Sequence, residues 1–474
     1  MALKRPLDRK PWPKWVWAFA SLFLLTVVTF LIYLFISEGT GRAKWEQFRT
    51  EWEAKGEVFE WAAYIPPPIP DEENLAMAPV MQDLKATELA GIHKIPGFKV
   101  SQQLGWPDGK AKNLTTSFPT LSKEEADKRI ANTFANRYEM LAELTSATRE
   151  RTRCRFPLDY DISVSFDITS TVNELQALTS LCLYRSRWNH GQDRVYQSFT
   201  DWITAIHLVR ASETIPSQLG FRVHRTLFHR SLQAIWELLH EHQLDDSQLK
   251  EAQTILMDQN FLIRFLHQSR INRAMVLNWI DLRLLDDQRL IRSLGVTDPF
   301  FGHYPKGWWY EDKRTFCERL NRAYLYPNTV KAIDSVDIVH CQQVEMAIAQ
   351  ELKQDLTARV LPKNQSANIM ATQITSFAGN ALHAETELRL LRTAIALEQH
   401  YQKHQQFPPA LGDLVPDYLL DVPLDPVDQK ALRYKPQPVH KGYLLYGIGS
   451  NSTNDNGVKG QGFEGDWVWP MPSN

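Results

Sequence analysis

The sequence predicts a mainly α-helical protein with an N-terminal transmembrane helix and a small α+β end. Three observations lead there. Val16–Ile36 reads VWAFASLFLLTVVTFLIYLFI, with no charge and no proline. Between about residues 121 and 375, apolar residues recur at helical spacing with short polar joints. After about residue 380, one long helical pattern gives way to short β-type segments rich in Tyr and Trp. The expected division is a cytoplasmic tail (1–15), a membrane helix (16–36), a juxtamembrane helix with a Pro-rich spacer (37–120), a helical domain (121–375) and an α+β domain (380–474).

At 1.5 Å per residue, Val16–Ile36 spans roughly 30 Å, the thickness of a hydrocarbon core, which makes the lipid bilayer its expected partner. Trp12, Trp15 and Trp17 stand at one end and Tyr33 and Phe35 at the other, as interfacial aromatics do. Lys4, Arg5, Arg9, Lys10 and Lys14 precede the run against the single acid Asp8, whereas the charges after it balance. The positive-inside rule therefore keeps the N-terminus cytoplasmic and puts the bulk of the chain outside the cytoplasm, on an inner or cytoplasmic membrane. A cleaved signal peptide has a shorter apolar region, and Ser37-Glu38-Gly39-Thr40-Gly41 is a poor small-x-small exit, so an uncleaved anchor is expected. No second apolar run approaches membrane length, and mean hydropathy is −0.35, which suits one pass and a large polar part.

The 474 residues are 43% hydrophobic and 23% charged, ordinary for globular domains. A net charge of −2 gives no electrostatic case for binding nucleic acid. Cys154, Cys182, Cys317 and Cys341 form no CxxC pair. They are either two disulfides, in three connectivities, or four buried thiols.

In order, residues 38–61 carry Trp45, Phe48, Trp52, Phe59 and Trp61 and continue the membrane helix to near Gly56. Pro66-Pro67-Pro68-Ile69-Pro70 predicts an extended spacer, since prolines fix φ and cannot donate. An irregular stretch follows to about Pro119, with a turn at Trp106–Gly109. Ser122 and Glu125 form a capping box. The first helical face behind it holds Ile130, Phe134, Leu141 and Leu144. Further helices are expected from Thr171 to Gly191, from Asp193, over Leu219–Leu239, from a cap at Asp246, and over Phe261–Leu282. Paired helices of this kind are repeat-like, but no fixed period emerges, so the description is an irregular helical domain. Residues 295–313 read as an aromatic, Gly- and Pro-rich loop, either a connection or a binding lip, with helices resuming at Lys313–Tyr324 and Val330–Leu356 before a break at Pro362–Ser366. A helix over Glu385–Gln402 then presents Leu388, Leu391, Ala394, Ile395 and Leu397. Leu432–Tyr434, Tyr443–Tyr446 and the closing Gly465–Pro470 read as short strands.

This last order resembles the globular part of type II secretion pseudopilins. The matching residues are Pro409, Leu411, Leu414, Pro423, Asp425, Pro426, Tyr434, Tyr446, Gly449, Asp455, Gly457, Asp466 and Trp469, over about a fifth of the chain. A pseudopilin carries its own hydrophobic helix directly before this domain, led by a prepilin-peptidase site. Here the membrane helix lies far upstream without one, so processing or assembly as a pilus subunit is not expected. The whole layout, with the segment Ile65–Asn74, is also similar to a family of single-pass membrane-anchored bacterial proteins; that family supplies no activity.

The loop Gly449–Asp466 offers Asp455, Asp466, Asn451 and Asn454 as hard-oxygen ligands for calcium. Major pseudopilins bind calcium in the equivalent loop, and the resemblance implies the same here. The plain reading is a hairpin loop held by Asn and Asp turn bonds. His240 and His242, flanking Glu241, point apart on a helix. His400 and His404, at i and i+4, lack a third ligand. Ser450 does not sit in a GxSxG, and no P-loop is present. The expectation is a non-enzymatic, membrane-tethered binding or scaffold protein with a protein partner. The alternatives are an accessory component of a secretion or pilus-like system and a hydrolase whose site has no sequence motif.

Overall fold

The computed structural model describes residues 13–82, 123–160, 164–284, 306–325, 377–437, 442–459 and 465–469, with isolated positions between 341 and 350. The described chain is mainly helical, and a small antiparallel sheet lies near its C-terminal end. It divides into two compact units, the first made of 1–59, 276–319 and 348–373, the second of 60–275, 320–347 and 374–474.

The first unit is organised by α1, Lys14–Glu53, which runs through the apolar stretch and beyond it without a break. It is long and apolar enough to cross a membrane, and none of its most apolar window is buried. A core helix would be covered. Trp45 and Phe48 are its buried residues, and both rings meet Phe59, at 5.8 and 6.2 Å between centroids. Gly56, at φ +88°, takes the left-handed position that ends the helix, and the N–H of Glu57 returns to the Trp52 carbonyl at 3.1 Å.

The aromatic stretch departs from its expected loop. Residues 295–305 lie outside the described residues, but Lys306–Leu320 is a helix, which can be called α10 once the intervening elements are counted. Its second residue explains the difference. A Cβ on Gly307 would stand 2.3 Å from the Ser37 carbonyl oxygen, and one on Gly41 would stand 2.6 Å from that of Gly307. Only glycines let the two backbones approach this closely. The helix then seats its aromatics by packing: Trp308 donates to the Tyr33 hydroxyl at 3.3 Å, and Trp309 meets Trp279 at 6.2 Å. Buried Lys313 pairs with Asp281 and lies 5.2 Å over the Trp45 ring.

In the second unit the Pro-rich segment is docked to the chain at 151–155. The prolines cannot donate, so their carbonyls accept instead: Arg155 Nε reaches the Pro66 oxygen at 2.9 Å. Buried Asn74 exchanges two 2.8 Å bonds with the backbone of Arg155, and Leu75 N–H donates to the Arg153 carbonyl at 2.8 Å. The short helix α2, Pro79–Gln82, follows; the predicted turn at 106–109 and the cap at Ser122 lie outside the described residues.

The helical body is α3 (Lys123–Ala135), α4 (Tyr138–Glu150), α5 (Val164–His190), α6 (Val195–Ser212), α7 (Gln218–His240), α8 (Asp246–Met257) and α9 (Phe261–Leu284). The first predicted face divides between two helices: Ile130 and Phe134 are buried from α3, Leu141 and Leu144 from α4. Asp193 does not start α6; at φ 57° it closes the turn before it. The cap of α8 is Asp245, one residue before the predicted Asp246. Its carboxylate accepts from the Gln248 N–H at 2.9 Å, and the Gln248 amide oxygen accepts from its own N–H at 3.0 Å. Trp202, fully buried, donates to the Ser231 carbonyl at 3.1 Å and so ties α6 to α7.

The last helix, α11, is Phe377–His404, starting before the predicted Glu385. It packs against α7, α8 and the sheet, and it is buried nearly all round, acids included. Strands β1 (Arg433–Gln437), β2 (Gly442–Gly447) and β3 (Trp467–Val468) form one antiparallel sheet in that order, with Arg433 opposite Tyr446 and Gly447 opposite Trp467. Asp425, fully buried at the Pro423–Pro426 corner, holds the sheet to the turn. Its carboxylate accepts from the N–H groups of Val427 (2.9 Å) and Ile448 (2.7 Å) and from Arg433 (2.8 Å). All four cysteines are buried, and Cys154 and Cys182 are free thiols.

Candidate functional site

The predicted calcium ligands sit in a loop that satisfies most of them locally. Asn451 donates to Asp455 Oδ2 at 3.1 Å, and its own amide oxygen accepts the Thr453 N–H at 3.0 Å. Asn454 Oδ1 accepts from the Asn456 N–H at 2.9 Å and the Tyr446 hydroxyl at 3.2 Å. Asp466, only 1% exposed, accepts the Gly457 N–H through Oδ2 at 2.7 Å, while its Oδ1 is buried without a hydrogen-bond partner. Residues 460–464 of the loop lie outside the described residues.

The histidines weighed in the sequence take structural places. His240 stacks on Trp236 at 5.1 Å. His242, just past α7, stacks on Tyr401 at 4.2 Å and bonds Glu398 of α11 at 2.7 Å. His400 and His404 do approach, at 4.3 Å between rings, but His400 Nδ1 bonds the Gln406 carbonyl at 3.0 Å.

Helix α11 carries an unexpected feature: three buried carboxylates, each met by a group from much earlier in the chain. Glu385 accepts the first N–H of α9, at Phe261, at 2.9 Å, and pairs with Arg389 at 2.7 Å. Glu398 takes His242. Glu387, at 0% exposure, takes His229 of α7, Nδ1 to Oε1 2.6 Å. His383, one turn before Glu387, stands 3.6 Å from the same oxygen. Among the described residues, His229, His383 and Glu387 form the one group of three such side chains whose ligand atoms all lie within 4.8 Å of one another. The second carboxylate oxygen, Oε2, is buried with no hydrogen-bond partner.

The electrostatics follow from this packing. Burial alone would raise the Glu387 carboxyl, but His229 and His383 outweigh it, and it lies below its usual range. Glu387 in turn raises His229 above the ordinary imidazole value, against burial. His383 is lowered by burial, which its more distant contact with Glu387 only partly offsets. Arg225 bears on all three, favouring the carboxylate and opposing imidazolium. The edge of Trp467 closes over His383, rings 4.9 Å apart. A sequence signal existed in His383-x-x-x-Glu387, one helical face at i and i+4. The third member stands 154 positions from His383 in the chain, on another helix.

A cleft of about 280 Å³ opens beneath the docked prolines, lined by Pro66, Ile69, Cys154, His207, Arg210 and Glu213 among others. Burial pushes the Cys154 thiol up to about 12 and the His207 imidazole down to about 4, the latter helped by Arg210 and Arg149. At neutral pH the cleft therefore holds a protonated thiol and a neutral imidazole, not an activated nucleophile.

Comparison of the chain with protein-family models, curated proteins and solved structures finds no match.

Proposed function

We propose that this chain is a membrane-tethered binding or scaffold protein, held by α1 with its helical body outside the cytoplasm. The observation that carries the tether is α1 itself, no residue of whose most apolar window is buried among the described residues. The flanking charges support the orientation. The inert state of Cys154 and His207 supports binding over catalysis in the cleft. A reporter active only outside the cytoplasm, fused after Asn474, is expected to be active. Replacing Lys4, Arg5, Arg9, Lys10 and Lys14 by Gln should weaken that signal. An inactive fusion beside an active cytoplasmic reporter at the same position overturns the orientation.

A second reading, an accessory component of a secretion or pilus-like system, rests on the pseudopilin resemblance together with the small sheet packed on α11. Co-purification of pseudopilins from detergent extracts tests it. The resemblance also brings calcium to the C-terminal loop, and Asp466 Oδ1, buried and unpartnered, supports that reading. An ion bound only by the folded chain raises stability by mass action, about 2.7 kcal/mol at a hundredfold excess over Kd. The melting temperature of the detergent-solubilised chain should climb with calcium and not in Asp466→Ala; a flat response from zero to millimolar calcium sinks the site. A hydrolytic reading has one foothold, the His229–His383–Glu387 group.

A further inference from the structure

The His–Glu group on α7 and α11 has the composition of a metal site, and its geometry can be held to that standard. Zinc takes imidazole nitrogen and carboxylate oxygen at about 2.0–2.2 Å in tetrahedral array, which separates neighbouring ligand atoms by roughly 3.3 Å. The observed separations from Glu387 Oε1 are 2.6 Å to His229 Nδ1 and 3.6 Å to His383 Nδ1. They bracket that value, so shifts below an ångström admit an ion. The three side chains come from two packed helices, which fixes their backbones independently of any ion.

We propose that His229, His383 and Glu387 bind one zinc ion that clamps α7 to α11 and leaves its fourth position open to solvent. The open position follows from burial. The His229 and His383 side chains are 27% and 18% exposed, while Glu387 is enclosed at 0%. An ion seated among them meets protein on the carboxylate side and water on the imidazole side. Three protein ligands with a vacant fourth position are the arrangement of a reactive zinc rather than a closed structural one. A second, independent observation points the same way: Glu387 Oε2 is a buried acceptor with no hydrogen-bond partner, a costly condition that a cation at the carboxylate relieves.

The donor set selects among metals. Two imidazoles and one carboxylate suit zinc, copper or nickel and are too few oxygens for calcium or magnesium. Binding displaces the proton that His229 shares with Glu387, because the ligand must be neutral imidazole. The positive charges of Arg225, of Arg230 near His229 and of Lys459 near His383 oppose the ion's charge and set a limit on affinity.

The test uses the full chain in detergent, stripped with a chelator and dialysed against buffered free zinc, with bound metal counted by mass spectrometry. The pair His400 and His404 is removed first by a double substitution to Ala, so that it does not contribute a weak site. One zinc per chain is expected in this background, and none after Glu387→Gln or His383→Gln at the same free zinc. Cobalt in place of zinc should give the visible bands of a tetrahedral site, abolished by the same substitutions. Far-ultraviolet circular dichroism checks that each variant is folded. If Glu387→Gln unfolds, His383→Gln at the solvent edge decides alone. Failure of the background protein to hold zinc, or equal loading in His383→Gln, overturns the proposal.

Discussion

The C-terminal loop and the His229–His383–Glu387 group are both clusters of potential ligands, built in opposite ways. In the loop, partners are near in sequence. Asn451 meets Asp455, Asn454 meets Asn456, and Asp466 reaches back to Gly457. Short polar side chains bond their own backbone readily, so such a loop is satisfied by turn chemistry before any ion arrives. In the buried group, Glu387 and His229 stand 158 positions apart and meet only when α7 and α11 pack. Ligand density along the sequence thus marks a loop that can stabilise itself. Ligand convergence across the fold leaves Glu387 Oε2 unsatisfied, and in the loop only Asp466 Oδ1, the one ligand buried beneath it, shares that condition.

The largest expected effect sharpens this contrast. Glu387→Ala leaves His229 and Arg225 without the carboxylate that both face, and breaking a buried pair from one side costs about 3 kcal/mol. Asp455→Ala, in a half-exposed turn without added calcium, should cost at most about 0.5 kcal/mol. Urea midpoints of the detergent-solubilised chain measure both, and equal losses would erase the distinction. Asp425→Ala should fall between them, at about 2 kcal/mol, since it strands two backbone N–H groups and Arg433.

Two histidines, His224 buried and His229 partly exposed, provide a test by sign. His224, at 1% exposure, is pushed down to about 3 by burial and by Arg264. A lowered imidazole contributes stability above its unfolded value near 6.5, and loses it as pH falls below that. The cost of His224→Gln should therefore shrink by about 3 kcal/mol between pH 7 and pH 4. His229 is raised, so its contribution is full below 6.5 and is lost as pH rises through the folded value. The cost of His229→Gln should be greater at pH 6 than at pH 9. The same pH trend for both variants would contradict the assignment of Glu387 as the partner of His229. A smaller effect, near 1 kcal/mol, belongs to the cap at Asp245, where Ala removes a capping box and touches neither cluster.

Much of the fold was legible because it is written locally. The uncharged run of α1, the helical stripes of α5 to α9 and the tyrosine-rich strands each follow from neighbours within a few positions. The first half of α10 was hidden because Gly307, a poor helix former, is required for the close contact with Ser37 and Gly41. The cap moved from Asp246 to Asp245 because either acid reads as a cap and only packing selects one. The docking of Asn74 on Arg155 could not be read from a proline run that looks like a spacer. Nothing near Glu385, Glu387 and Glu398 in the sequence marks these acids as buried; their partners, Phe261, His229 and His242, belong to chain more than a hundred positions earlier. Such pairings have no periodicity to betray them.

The contact between His229 and Glu387 is the one on which the pairing of α7 with α11 depends. A double-mutant cycle of His229→Gln and Glu387→Gln, in chelator at pH 6, isolates that contact from zinc and from the general cost of each substitution. The result expected is a coupling free energy of about 1 kcal/mol or more, holding α7 to α11. A coupling indistinguishable from zero, with both single variants folded, would contradict it.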